Sequence, residues 1–220
     1  MKRIIAAALV ALLFLTPFKV CDAHDFSRIM QSVAPMQEVI PVDPFDPASL
    51  PLLVNMCTAT SINAEHHLWL TAAHCVELDE MAGGVRYING DLAAVVITNK
   101  EADIAIVRTE RVFSPALKMA KVGPEYGDPL KVVGHPLGMN MPILTFGFVA
   151  VPKLHVDELN RDFMLYSVVG APGNSGSAVL NSKDEVVSIL QIGFSRTFSP
   201  MTGGATWEAL RKVTIGYWQS

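Results

Sequence analysis

The chain has 220 residues, 50% of them hydrophobic and 17% charged, with mean hydropathy +0.34 and a formal net charge of −4. That length and apolar content support a substantial core and exclude wholesale disorder, and the acidic balance argues against the broad positive field that nucleic-acid binding needs. Three cysteines leave one without a partner if the protein is oxidised.

Lys2 and Arg3 precede an apolar stretch from Ile4 to Leu15, and a small residue, Ala23, follows at a plausible cleavage point. A charged start, a short apolar run and a small-residue exit describe a signal peptide over residues 1–23. The run is too short for a membrane span, which needs about 20 apolar residues, so no stable anchor is expected after cleavage. Phe18, Lys19 and Val20 before Cys21 are not the small residues that precede a lipidated cysteine. Cleavage after Ala23 takes the net charge from −4 to −6 and removes Cys21, leaving Cys57 and Cys75 in an exported chain. The expected location is secreted or periplasmic.

Residues 24–51 hold Pro35, Pro41, Pro44, Pro47 and Pro51 and read as an extended surface arm or a removable propeptide. From Leu52 onward the chain alternates short β-type runs with Gly, Pro, Asn or Asp. The runs are Val54–Ile62, His67–Leu70, Leu92–Thr98, Ile104–Arg108, Leu130–Gly134, Leu144–Val151, Phe163–Val169, Ala178–Leu180 and Val186–Ile192. This spacing predicts an all-β sandwich or barrel. The best helical pattern is Trp207–Val213, with Thr206 as N-cap.

Three segments carry candidate chemistry: Thr71-Ala72-Ala73-His74-Cys75, Asp103-Ile104-Ala105, and Gly173-Asn174-Ser175-Gly176. A serine hydroxyl needs a base to take its proton, and an imidazole titrating near neutrality can do so. A buried carboxylate fixes the imidazole tautomer. Glycines around the serine allow a tight turn whose N–H groups converge on a developing oxyanion. Singly these residues are ordinary turn, cap or metal-ligand material; the three together, in this order, point to nucleophilic hydrolysis. An α/β-hydrolase would place its histidine after the serine, and all six histidines precede Ser175. His66, His67 and His74 lack the partners of a zinc motif, so His66 and His67 read as turn residues, and no metal or other cofactor is expected. His135, in a Gly-His-Pro turn, reads as structural.

The three motifs resemble those of the trypsin/chymotrypsin-like serine proteases, and Gly-Asn-Ser-Gly is similar to the bacterial branch that includes HtrA-type and glutamyl-endopeptidase-like enzymes. The spacings agree with that branch, 29 residues from His74 to Asp103 and 72 from Asp103 to Ser175. The resemblance implies two six-stranded antiparallel β-barrels with a short C-terminal helix, a protease domain over residues 52–220 and a protein or peptide substrate. It implies His74 as general base, Asp103 as its orienting group and Ser175 as nucleophile, with the N–H groups of Gly173 and Ser175 as oxyanion hole. Cys57 and Cys75 match the family disulfide that pins the histidine loop.

Asn174 stands where animal digestive enzymes carry an aspartate that pairs with a newly cut N-terminus, so activation of that kind is not expected. By the same resemblance Val169, Leu190 and Gly193 border the primary specificity pocket. No acidic residue stands at Val169 and no histidine at Leu190, which disfavours Lys, Arg or Glu at the cleavage site and favours an apolar side chain. Two rivals are a catalytically silent binding module and an esterase using the same triad.

Overall fold

A computed structural model describes residues 23–40, 52–77, 86–193 and 200–219. The expected signal peptide lies outside them, apart from Ala23, which opens helix α1 (Ala23–Gln31). Among the described residues no helix is long and apolar enough to cross a membrane.

The first lobe is one antiparallel sheet. Its strands are β1 (Val33–Ile40), β2 (Leu52–Asn63), β3 (Leu68–Thr71), β4 (Arg86–Ile88), β5 (Asp91–Leu92), β6 (Ala94–Asn99) and β7 (Ile104–Arg108). Their spatial order is β5-β4-β1-β2-β3-β7-β6. The second lobe holds β8 (Lys118–Met119), β9 (Pro129–Gly134), β10 (Ile143–Val156), β11 (Arg161–Tyr166), β12 (Ala178–Leu180), β13 (Glu185–Gly193) and β14 (Thr202–Ala205). Here β12 pairs with both β9 and β13, closing a six-stranded barrel, and β8 adds in parallel to β13. The expected all-β double barrel is therefore present with two refinements. One lobe is a seven-stranded half-barrel, and the closed one carries a parallel extra strand.

The segment read as a surface arm or propeptide differs from that expectation. β1 lies inside the first sheet, paired to β2 along its length and to β4 at Met36–Glu38. Met36 is fully buried, and Ile29 of α1 sits in the cluster where the lobes meet, beside Leu70 and Ile106 of one and Val133 and Ile189 of the other. Burial of these side chains outweighs the extended, solvated state that the prolines suggested. The folded unit thus begins before residue 52.

The C-terminal helix α2 (Trp207–Thr214) follows the predicted bounds. The Thr206 side chain accepts the Ala209 N–H at 3.2 Å, satisfying one free donor of the first turn. Leu210 is buried between the lobes, and Trp207 donates its indole N–H to the Ala120 carbonyl at 3.1 Å.

Candidate active site

The sequence places His74 in a short 3-10 turn, Ala73–Cys75, immediately after β3. Ala72 and Ala73 are small enough to pack at 0% and 1% exposure, so the turn folds tightly against the sheet and leaves the imidazole at the surface. The Cys57–Cys75 disulfide ties the end of this turn to β2. Arg86 of β4 adds a second tie, donating its Nε–H to the Cys75 carbonyl at 2.9 Å while pairing with the buried Glu38 of β1 at 2.7 Å.

Asp103 closes the turn before β7 in the left-handed region at φ 52°, a conformation aspartate tolerates better than most residues. Its carboxylate is nearly buried and faces His74. Nδ1 of the ring lies 3.0 Å from Oδ1 and 2.9 Å from Oδ2, and the His74 backbone N–H donates to Oδ1 at 2.9 Å. An ionised carboxylate only accepts, so Nδ1 carries the proton and Nε2 is left with its lone pair facing away. Burial pushes the Asp103 carboxyl upward. The hydrogen bonds from His74, their charge interaction and the Arg161 guanidinium outweigh that and hold it below the ordinary aspartate value.

Two residues that carry no motif also reach Asp103. Gln191 of β13 donates its Nε2–H groups to the carbonyls of Ala102 and Asp103 at 2.8 and 2.7 Å, holding the left-handed turn from the second lobe. Arg161, the first residue of β11, places Nη1 3.5 Å from Asp103 Oδ2.

Ser175 sits in a turn of the segment that joins β11 to β12. Gly173 and Gly176 take φ of 94° and 85°, and a Cβ at Gly176 would lie 2.0 Å from the Thr58 carbonyl oxygen. Only glycine fits that approach. The turn is fastened to β2: Thr58 donates its N–H to the Ser175 carbonyl at 2.8 Å and its hydroxyl to the Gly173 carbonyl at 2.9 Å. Internally, Asn174 donates its N–H to Ala171 and Ser177 donates to Asn174. Among the described residues, the N–H groups of Gly173 and Ser175 meet no protein acceptor. The Ser175 carbonyl lies 3.8 Å from Cys75 Sγ, so the Ser175 turn of the second lobe lies against the residue that follows His74 in the first. No hydrogen bond to the Ser175 hydroxyl is present among the described residues.

Beside Ser175 lies a cavity of about 150 Å³ lined by Gly170, Ala171, Pro172, Leu190, Gln191, Gly193 and Thr202. Leu190 and Gly193 border this cavity. Val169 does not line it: it is 51% exposed and borders a separate apolar cavity with Pro136, Leu137 and Ile143. One residue along the chain, Gly170 lines the cavity beside Ser175 instead. A Cβ there would meet Thr202 Cγ2 at 2.4 Å, so the wall can come this close only without a side chain.

Two further histidines are engaged elsewhere. His67 packs edge-on against Phe113 at 4.8 Å, and His135 is buried with Nδ1 3.1 Å from the Met139 carbonyl, burial holding its pKa below the usual histidine value. Cys57, His74 and Cys75 converge, but both sulfurs are spent in the disulfide and offer no thiolate to a metal.

Among solved structures, the HtrA-type protease AlgW with a decapeptide superposes with TM-score 0.71 at 21% identity, covering 88% of this chain and 66% of that one. The same protease with a tripeptide gives 0.66 at 21%, over 88% and 64%. This chain therefore spans about two thirds of the length of those proteins, and at such identity the likeness concerns the fold. The model of the trypsin-like peptidase domain matches residues 57–189, well over half of the chain. On that match, this chain belongs to the family of trypsin-like peptidase domains.

Proposed function

We propose that the protein is an exported serine endopeptidase. The observation that carries this reading is the His74–Asp103 pair, whose geometry leaves Nε2 as a free base at the cleft that also holds Ser175. Ser175 Oγ attacks the scissile carbonyl as His74 Nε2 takes its proton, and His74 then returns that proton to the leaving amine. Asp103 keeps the ring oriented and stabilises the imidazolium. The unengaged N–H groups of Gly173 and Ser175 receive the oxyanion, each such donor being worth about 3–4 kcal/mol in known cases. Among the described residues, Gly170, Ala171, Pro172, Leu190, Gln191, Gly193 and Thr202 wall the cavity beside Ser175 and none of them is charged, which favours an apolar residue of small to medium size on the acyl side of the cut.

A fluorophosphonate probe tests the nucleophile. It should label the wild type and fail on Ser175→Ala, and folded wild-type protein that takes no label would refute the proposal. Matched peptide and ester substrates then separate a protease from an esterase. N-terminal sequencing of the exported protein checks cleavage after Ala23.

A further inference from the structure

We propose that Arg161 is a positioning residue of this site: a cation delivered from the second lobe to Asp103 Oδ2 that fixes the carboxylate against which His74 is oriented. The inference rests on the hydrolase reading above.

Arg161 begins β11 opposite Val156 of β10, just after a 3-10 turn, Asp157–Leu159, and the left-handed Asn160. That tight hairpin end aims the side chain back across the gap between the lobes. The guanidinium stacks over the Phe163 ring at 4.3 Å and is 20% exposed. Its Nε is buried with no acceptor. Taking an arginine this far from water is unfavourable unless a charge compensates it, and the carboxylate it meets is Asp103. The other charged groups nearby are engaged elsewhere or face outward. Asp162 pairs with Lys153 and His155 at 2.9 and 2.8 Å, and Lys100 pairs with Glu77 at 3.1 Å. Glu101 and Lys212 are exposed and line a cavity that Arg161, His155 and Asp162 also border. Within the described residues, the charged side chains paired with Asp103 are His74 and Arg161.

The consequence for Asp103 has a definite sign. The cation on Oδ2 favours the ionised carboxylate, and it ties that oxygen down so that the acceptors facing His74 keep their orientation. Without Arg161 the carboxylate loses that charge partner and is freer to rotate away from the ring.

A double-substitution cycle read as urea midpoints tests this without turnover. The midpoint gap between wild type and Asp103→Asn at neutral pH should shrink in the Arg161→Gln background and keep most of its size in Arg161→Lys. In Arg161→Gln kcat should fall about tenfold with KM little changed, and Arg161→Lys should restore most of it. Arg161→Met retains the stem that packs on Phe163 and serves if Arg161→Gln does not fold. A folded neutral variant with an unchanged gap overturns the proposal. A shrunken gap in a protein that neither labels nor cleaves overturns the hydrolase reading and leaves the coupling standing. An active protein with an unchanged gap does the reverse.

Discussion

Removing residues 24–51 should unfold the protein rather than activate it. The excised segment contains Ile29, Val33 and Met36, at 1%, 6% and 0% exposure. Full burial of such side chains contributes about 1.5–3 kcal/mol each, so these three supply about 4.5–9 kcal/mol as an upper estimate. A domain's entire stability is roughly 5–15 kcal/mol, and loss of β1 also strips β2 and β4 of their shared ladder partner. The damage reaches the site directly. Without Glu38, Arg86 loses the partner that holds it 2.9 Å from the carbonyl of Cys75, the neighbour of His74. Chains 24–220 and 52–220 should be compared by thermal melting, amide dispersion and fluorophosphonate labelling. The longer chain should melt cooperatively and label; the shorter should do neither. Met36→Ala gives the graded version, a loss of about 2–5 kcal/mol that lowers the melting temperature by about 10 °C. A cooperative melt of 52–220 within a few degrees of the longer chain would refute this account of β1.

Opening the disulfide with Cys57→Ser and Cys75→Ser should cost about 3 kcal/mol by the chain-entropy estimate for a loop of this size, read as a lowered urea midpoint. Reductant should produce the same loss in the wild type and none in the variant. Leu190→Ala enlarges the cavity beside Ser175 and should shift preference toward larger apolar residues by about 10- to 100-fold in relative kcat/KM, measured on peptides differing only at that position. Asp103→Asn should cut kcat at neutral pH by about 10⁴, because the ring loses its enforced tautomer. The same substitution has a stability signature. The Asp103 pKa is depressed from 3.8 in the folded state, so its stabilisation is complete above that value and disappears as pH falls through the folded pKa. The urea-midpoint gap between wild type and Asp103→Asn should therefore close only in acid, below about pH 4.

What the sequence announced and what it concealed follow from where the information resides. Ile104–Arg108 and Ala178–Leu180 appear with the predicted bounds because both are short strands built on an unbroken apolar run and bracketed by turn residues. β14 escaped notice because its middle is Gly203-Gly204, which has no side-chain pattern to read. A Cβ at Gly204 would lie 2.0 Å from the Ile189 carbonyl oxygen, so the packing that requires glycine also erases the strand signal. β1 was obscured by Pro35, which argues against an interior strand. The structure accommodates it because β4 reaches only Met36–Glu38, so Pro35 lies beyond that ladder and withholds no bond from it. Val169 was located by counting back from Ser175, but counting does not say which way a loop residue faces. The chain leaves β11 at Tyr166 and turns so that Gly170 and Ala171, not Val169, face the cavity.

The same distinction separates the motif residues from Arg161 and Gln191. His74, Asp103 and Ser175 are each surrounded in sequence by the small residues that their local turns require, so chemistry and neighbourhood are written together. Arg161 and Gln191 act at a distance of 58 and 88 residues from Asp103, and no local turn depends on either being what it is. Their contribution exists only once the lobes are docked. His74 and Asp103 come from the first lobe, whereas Ser175, Arg161 and Gln191 come from the second, so the site is a product of the interface. Ile29 of α1 and Leu210 of α2 help to seal that interface from the N- and C-terminal sides of the chain. A mutation at either position, far in sequence from every motif, should therefore change the spacing between the Asp103 pair and the Ser175 turn before it unfolds either lobe. Leu210→Ala tests this: the labelling rate should fall in protein that still melts cooperatively.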